Sequence, residues 1–142
     1  MGSEMCIRDS GKGRRGHRGR GRRVDPSGRE RMAECTRVGL GEELIVLDPG
    51  FGFGKTPADN IELLANLRQL LDNGRPLLVG ISRKSTLGVI TGREVDGRLP
   101  ASLAAAVMAV ERGASIIRAH DVAETVDALR IADAVIESGK NK

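Results

Sequence analysis

The chain has 142 residues, of which 30% are charged, and a formal net charge of +4. This length suits one domain with a single core. Its two cysteines are too few for a disulfide framework and lack zinc-site spacing, which predicts a reducing cytoplasm. No apolar run is long enough for a secretory signal or a membrane span, so the sequence predicts neither.

The basic character of the chain belongs to residues 1–23. This leader carries eight Lys or Arg and two acidic residues, a net charge of +6, whereas the remaining residues carry 15 basic and 17 acidic residues, a net charge of −2. Most of it is Gly and Arg with little apolar surface to bury, so we predict a disordered leader. Its stretch M-C-I-R-D-S resembles a translation of sequencing-adapter DNA. We therefore interpret the leader as artefactual and residues 24–142 as the folded domain.

The predicted elements begin with a helix over residues 27–38, which Gly39 stops. Residues 44–47 form a short apolar run, typical of a strand that is covered on both faces in a parallel sheet. Asp48 ends this strand, and Pro49 cannot donate to the ladder. A glycine-rich loop follows.

Phe51 and Phe53, both in this loop, are the only aromatic residues of the chain if histidine is not counted. An aromatic residue that fills a core normally lies on a strand or a helix, so we predict that at least one offers a flat face to a ring-shaped ligand. The alternative is a loop that folds back over its own apolar neighbours. The phosphate-loop and dinucleotide-binding motifs each fail by one residue here, so neither function is predicted.

The second helix is predicted over residues 57–73, with Thr56 as its N-cap, Pro57 at its first position and Gly74 at its end. A second strand covers residues 77–81. The polar run S-R-K-S follows at residues 82–85, and then a short turn.

After a loop over residues 91–100, an alanine-rich helix is predicted over residues 102–112 and a third strand over residues 115–118. A last helix follows Asp121 and stops at Gly139. Alternating strands and helices predict an α/β fold with a parallel sheet, in which ligands bind beyond the carboxyl ends of the strands. Polar side chains follow all three strands, so we predict the site there.

Three motifs carry a resemblance to a known family. D-P-G-F-G-F-G-K at residues 48–55, G-I-S-R-K-S at 80–85 and I-I-R-A-H-D-V at 116–122 resemble the carboxyl-terminal signatures of the pterin-binding dihydropteroate synthases, in the same order. That family is a TIM (β/α)₈ barrel of roughly 250 residues. The resemblance implies that this chain is the C-terminal portion of such a barrel, about three β/α units, behind the disordered leader.

The family condenses 6-hydroxymethyl-7,8-dihydropterin diphosphate with 4-aminobenzoate to give dihydropteroate and pyrophosphate in folate biosynthesis. The resemblance also implies Mg²⁺ as a cofactor, a homodimer and a cytoplasmic location. The early strands and the metal-binding segment of the family have no counterpart here, so we expect the chain alone to be inactive. Unpaired strand edges predict association or poor solubility.

The resemblance assigns catalytic roles to Lys84, Arg118 and His120. Asp48 would accept hydrogen bonds from the pterin, Arg118 would stack on its face, and His120 would bind pyrophosphate. The implied substrate-binding residues are Asp48, Gly52, Phe53, Lys84, Ser85, Arg118 and His120. No metal ligand is assigned, and for Arg83 a solvated position and an ion pair stay open. This interpretation requires Asp48, Lys84 and Arg118 to face one shared cavity.

Two alternatives stay open. Another pterin-binding barrel, such as the corrinoid-linked methyltetrahydrofolate methyltransferase domain, would share the fold, although S-R-K-S and R-A-H-D favour the synthase. A nucleic-acid-binding protein driven by the Arg/Gly leader would bind with a steep salt dependence that disappears on deletion of residues 1–23. The leader has no interleaved aromatic residues for base stacking, which argues against a nucleic-acid partner.

Overall fold

The structure is a computed structural model that describes residues 5–8 and 26–140. Its strands are β1 (Met5–Arg8), β2 (Ile45–Asp48), β3 (Leu78–Val79) and β4 (Ile116–Ile117). Its α-helices are α1 (Pro26–Arg37), α2 (Pro57–Ala65), α3 (Ser85–Thr91), α4 (Leu99–Glu111) and α5 (Val122–Lys140). Short 3₁₀ segments cover Glu42–Leu44, Leu67–Asn73 and Val95–Gly97.

The strands of the described residues are parallel, which confirms the predicted α/β class. β1 pairs with β2, and β3 pairs with β4. A parallel bridge between Leu47 and Leu77 joins the two pairs, and the Leu47 N–H donates to the Pro76 carbonyl at 2.9 Å. The carboxyl ends of β2, β3 and β4 therefore lie side by side.

Strand β1 corrects the prediction of a wholly disordered leader. Met5 lies opposite Ile45 and Arg8 lies opposite Asp48 in the parallel register. The edge of β2 offers unpaired N–H and C=O groups, and a segment in extended conformation can satisfy them. The Gly/Arg tract has the composition that predicts disorder, whereas M-C-I-R contains apolar residues. Residues 1–4 and 9–25 lie outside the described residues.

Helix α2 begins as predicted and ends earlier than predicted. Thr56 and Asp59 form a reciprocal capping box at its start. The α-helix stops at Ala65, because Asn66 leaves the helical conformation (φ −102°, ψ 15°) and bonds through its side chain to the Glu62 carbonyl at 2.8 Å. The chain continues as a 3₁₀ segment to Gly74, whose left-handed φ of 67° ends it.

Other boundaries also differ from the prediction. The short turn predicted after residues 82–85 is helix α3, which Gly92 ends in a left-handed conformation. Helix α4 starts at Leu99, three residues early, since a proline at its second position suits a helix start. Helix α5 continues through Gly139 to Lys140.

The core lies between the sheet and the helices. Its strand and strand-end residues are Ile45, Leu47, Leu77, Val79 and Ile81. Leu64 of α2 and the small residues Ala105 and Ala109 of α4 belong to the same buried cluster. No helix within residues 26–140 is long and apolar enough to cross a membrane.

We expect the chain to self-associate, because large apolar side chains stay exposed on its helices. On α5, Ile131 and Val135 are 69% and 64% exposed and lie one helical turn apart. Replacing both with Lys should reduce association in sedimentation velocity, whereas Val38→Lys, at a similarly exposed position, should change it less. A monodisperse monomer with cooperative melting would contradict this expectation.

Candidate active site

Asp48 and Arg118 form an ion pair across the carboxyl end of β3. Asp48 is the last residue of β2 and is 4% exposed, while Arg118 directly follows β4. The Arg118 Nη2 lies 3.4 Å from the Asp48 Oδ2. The other carboxylate oxygen accepts the Gly50 N–H at 2.8 Å, so the Asp48 side chain is fixed from two sides.

The absence of a side chain at Gly80 allows this ion pair to form over β3. A Cβ atom at Gly80 would lie 2.7 Å from the Arg118 Nη2 and 3.2 Å from its Cζ. The Arg118 guanidinium therefore crosses directly above the Gly80 backbone to reach Asp48. The sequence alone indicates no role for Gly80, because only the crossing of the three strands shows one.

Lys84 lies against the glycine loop that follows β2. Its Nζ donates to the Phe51 carbonyl at 3.0 Å, and a Cβ atom at Gly52 would lie 3.0 Å from its Cδ. The positive φ of 75° at Gly52 also suits glycine. Asp48 and Lys84 are thus tied to the same loop, through Gly50 and Phe51 respectively.

The two aromatic residues of the loop behave differently: one is buried, as a folded-back loop predicts, and the other offers an exposed ring face. Phe51 is 2% exposed and belongs to the core, as the folded-back loop predicts. Phe53 is 36% exposed, and the Lys84 Nζ lies 4.3 Å from its ring centroid, within the range of a cation–π contact. Phe53 and Lys84 therefore form one surface on the loop that follows Asp48.

Asn60 anchors the glycine loop and was missed by sequence reasoning. This α2 residue is 1% exposed, and its Oδ1 accepts the Gly52 N–H at 2.8 Å. Its Nδ2 donates to the Thr56 carbonyl and to the Thr86 Oγ1, both at 3.0 Å. One side chain thus joins the loop, α2 and α3. Its only sequence signal is a polar residue on the face of α2 that also carries Leu64.

The loops after β3 and β4 are joined by a second ion pair. Arg83 and Asp121 form a bidentate contact, which confirms the ion-pair interpretation of Arg83. Arg83 has a φ of 54°, an unfavourable value for a side-chain-bearing residue. Its N–H donates to the Ser102 Oγ at 2.9 Å, and its carbonyl accepts from the Arg98 Nη1 at 3.1 Å. These contacts hold the residue that precedes Lys84.

The hydrogen bond from Arg83 lowers the pKa of Asp121 below its ordinary value of 3.8. A carboxyl group whose pKa is lower in the folded state stabilises the fold above its unfolded pKa, and this contribution is lost as the pH falls through the folded pKa. We expect Asp121→Asn to lower the thermal midpoint near pH 7 and this difference to shrink below about pH 4.

Asp127→Asn is the matched control for this pH series, because Asp127 pairs with Arg130 on α5 and its side chain is 78% exposed. It should change the thermal midpoint much less. A difference between wild type and Asp121→Asn that stays constant down to pH 2.5 would contradict the assignment.

His120 and Ser85 complete the predicted set. The His120 N–H donates to the Ser82 Oγ at 3.2 Å, and its Nδ1 lies 3.0 Å from the same oxygen. Ser85 is the exposed first residue of α3. An open groove of about 520 Å³ lies away from the predicted site residues and is lined by residues that include Pro57, Ile61 and Ile90. A cavity shared by the site residues therefore stays a prediction.

Within residues 26–140, no three His, Cys, Asp or Glu side chains are grouped so that they could hold a metal ion. The described residues therefore offer no set of three such ligands for the Mg²⁺ that the resemblance implies. What they do present is a buried carboxylate, two cations and an aromatic face at one end of a parallel sheet. This combination suits a flat heterocycle with N–H donors and an anionic substituent.

Comparison with known proteins identifies the family. Residues 12–120 match the family described as pterin binding enzyme. The chain belongs to this family. The three motifs that carry the resemblance meet in space at the carboxyl ends of β2, β3 and β4.

Several pterin-binding relatives are dihydropteroate synthases. The enzyme of Escherichia coli strain K12 is 47% identical over 113 residues, which cover 80% of this chain and 40% of that protein. The Xanthomonas albilineans enzyme in complex with 7,8-dihydropteroate superposes with a TM-score of 0.76 at 46% identity, covering 77% of this chain and 42% of that one. The same enzyme with 4-aminobenzoic acid gives 0.75 at 46% identity, covering 77% and 40%. The chain thus spans about 40% of the length of these relatives.

Proposed function

We propose that this chain carries the carboxyl-terminal part of a dihydropteroate synthase, with its strands as the last of a (β/α)₈ barrel. The observation that carries this proposal is the Asp48–Arg118 pair above Gly80, beside Lys84 on the glycine loop. The relatives that bind 7,8-dihydropteroate and 4-aminobenzoic acid support it. Those ligands contain the flat heterocycle and the arylamine that such a surface would bind.

In this proposal Asp48 and Arg118 bind the pterin. The Asp48 carboxylate accepts hydrogen bonds from ring N–H groups, which replace part of its contact with Arg118. The Arg118 guanidinium is planar and half-exposed, so it can lie against the ring face while it stays close to the carboxylate. The pterin would therefore lie over β3, where Gly80 leaves room.

The aminobenzoate would lie beside the glycine loop. Phe53 offers an aromatic face, and Gly52 lets the chain approach the ligand closely. In this proposal Lys84, which contacts the Phe53 ring and the loop that follows Asp48, can reach both substrates. Ser85 supplies an exposed N–H and hydroxyl at the start of α3, which suit the substrate carboxylate.

The reaction is a substitution at the exocyclic methylene of the pterin. The bond from this carbon to the diphosphate oxygen breaks, the electron pair leaves with pyrophosphate, and the arylamine nitrogen forms the new bond and then loses a proton. Arg118 and His120 stabilise charge on the leaving oxygens, while Asp48 and Lys84 orient the reactants. These residues act by orientation and electrostatics.

Further properties of the family stay proposals for this chain. Mg²⁺ binding stays a prediction, because the described residues offer no ligand set for it. A homodimer and a cytoplasmic location are likewise inferred from the resemblance. The methyltransferase alternative predicts no affinity for 4-aminobenzoate, which separates it from the synthase.

A hybrid enzyme tests the proposal. In it, residues 26–142 of this chain replace the homologous carboxyl-terminal segment of the Escherichia coli synthase. We expect the hybrid to form dihydropteroate from the two substrates, whereas the 142-residue chain alone should give no product above a blank. A folded hybrid without activity would contradict the proposal, and activity of the chain alone would contradict its inactivity.

A further inference from the structure

Ser82 makes two contacts with His120 that the proposed chemistry does not use. Ser82 lies just beyond β3 and is 8% exposed, whereas His120 is exposed. The Ser82 Oγ accepts the His120 N–H at 3.2 Å and lies 3.0 Å from the His120 Nδ1. One nearly buried hydroxyl thus contacts both the backbone and the ring of the same histidine.

The hydrogens at this contact can be counted. A hydroxyl has one hydrogen to donate and two lone pairs. The His120 N–H already occupies one lone pair, and within residues 26–140 the imidazole Nδ1 is the one acceptor in contact with the Ser82 hydroxyl. A hydrogen on Nδ1 would leave the hydroxyl hydrogen without a partner in a nearly buried place, which is unfavourable.

The neighbouring carboxylate does not compete for the same nitrogen. Asp121 follows His120 in the chain, and its carboxylate is bound by the Nε and Nη2 of Arg83. A carboxylate on Nδ1 would favour a hydrogen there, whereas the Ser82 hydroxyl can donate to a bare Nδ1. The contacts around the ring therefore favour one tautomer of the neutral imidazole.

We infer that Ser82 is a positioning residue that holds neutral His120 in the tautomer with the hydrogen on Nε2. The exposed side of the ring then presents an N–H donor even when the imidazole carries no charge. This inference deepens the proposed function, on which it rests: a departing pyrophosphate would meet a hydrogen-bond donor at His120 without a prior protonation of the ring.

The tautomer can be measured directly in the 142-residue chain. The sequence has two histidines, His17 and His120, so a protein labelled with ¹⁵N-histidine gives a simple two-bond ¹H–¹⁵N spectrum, which a His17→Gln variant assigns. At about pH 8.5 an ordinary imidazole is neutral. We expect His120 to show a bare Nδ1 and a protonated Nε2. A protonated Nδ1 in the wild-type chain would overturn the inference.

Two variants test whether Ser82 is the cause. Ser82→Ala should turn the single pattern into a mixture of both tautomers, and Ser82→Thr, which keeps the hydroxyl, should restore it. If Ser82 had only a structural role, both variants would change folding, and the two would not differ in the tautomer of His120. An unchanged His120 pattern in a folded Ser82→Ala chain would overturn the inference.

Addition of pyrophosphate to the hybrid synthase, labelled with ¹⁵N-histidine and with the His120 resonance assigned by its loss in His120→Gln, separates this inference from the proposed function. A shift of the His120 Nε2 resonance that saturates in wild type and weakens in Ser82→Ala supports both. If the wild-type tautomer is as expected but millimolar pyrophosphate leaves the resonance unmoved, the role of Ser82 stands. In that case the assignment of His120 to the leaving group fails.

Discussion

Asp48→Ala is expected to lower kcat/KM of the hybrid synthase by about 30- to 4,000-fold, which corresponds to a loss of about 2–5 kcal/mol. The substitution removes both acceptors for the pterin N–H groups and leaves the Arg118 cation without its carboxylate. Because Asp48 is 4% exposed, water cannot easily take its place. Steady-state rates of dihydropteroate formation at varied pterin concentration would measure this effect.

Two controls accompany this variant. Asp48→Asn keeps one oxygen for the Gly50 N–H but removes the charge, so its kcat/KM should fall between those of wild type and Asp48→Ala. Asp127→Ala removes a carboxylate whose side chain is 78% exposed on α5 and should leave kcat/KM unchanged. Wild-type activity in a folded Asp48→Ala hybrid would exclude Asp48 from the pterin site.

Asn60→Ala is expected to lower the free energy of unfolding of the hybrid by about 2–3 kcal/mol, because the Gly52 N–H and the Thr86 hydroxyl lose their contact with the buried Asn60 side chain. The Gly52 N–H would no longer be tied to α2, and the adjacent Phe53 would lose its fixed position. We therefore also expect kcat/KM to fall by about 10- to 100-fold. Urea unfolding and steady-state kinetics measure the two effects.

Asn66→Ala is the matched control for Asn60. Asn66 closes the same helix and also bonds through its side chain to the carbonyl four residues earlier, but it is exposed. Its replacement should change stability by less than about 0.5 kcal/mol and leave kcat/KM unaltered. Equal losses of stability in the two variants would show that burial of Asn60 has no special effect.

The strand ends of this site could be predicted from sequence because local signals place them. An apolar run that stops at Asp48 and Pro49 marks the end of β2, and the polar run S-R-K-S marks the end of β3. Parallel strands bring their carboxyl ends to one edge, so the proximity of Asp48 and Arg118 follows from chain order alone. The ion pair at 3.4 Å agrees with that expectation.

Contacts that depend on the crossing of distant segments could not be predicted. Gly80 reads as an ordinary strand glycine until the Arg118 side chain is seen to pass over it. Asn60 interrupts no pattern strongly enough to mark it as an anchor for Gly52, which is eight residues away. In both cases the signal lies in three-dimensional packing and not in periodicity.

Short segments account for the errors in secondary structure. Helix α3 has seven residues and contains Gly88, so its periodicity is too short to separate it from a turn. Strand β1 has four residues inside a leader whose composition predicts disorder, and the free edge of β2 outweighs that local preference. Phe51 and Phe53 share one loop and one residue type, so burial alone distinguishes them.

A crystal structure of the hybrid synthase with 7,8-dihydropteroate bound would test the central claim most directly. We predict that the Asp48 carboxylate lies within hydrogen-bond distance of pterin N–H groups, that the Arg118 guanidinium lies against the ring face, and that the Lys84 Nζ lies between the pterin and the aminobenzoate portion. A ligand bound away from Asp48 and Arg118, with their ion pair unchanged, would contradict it.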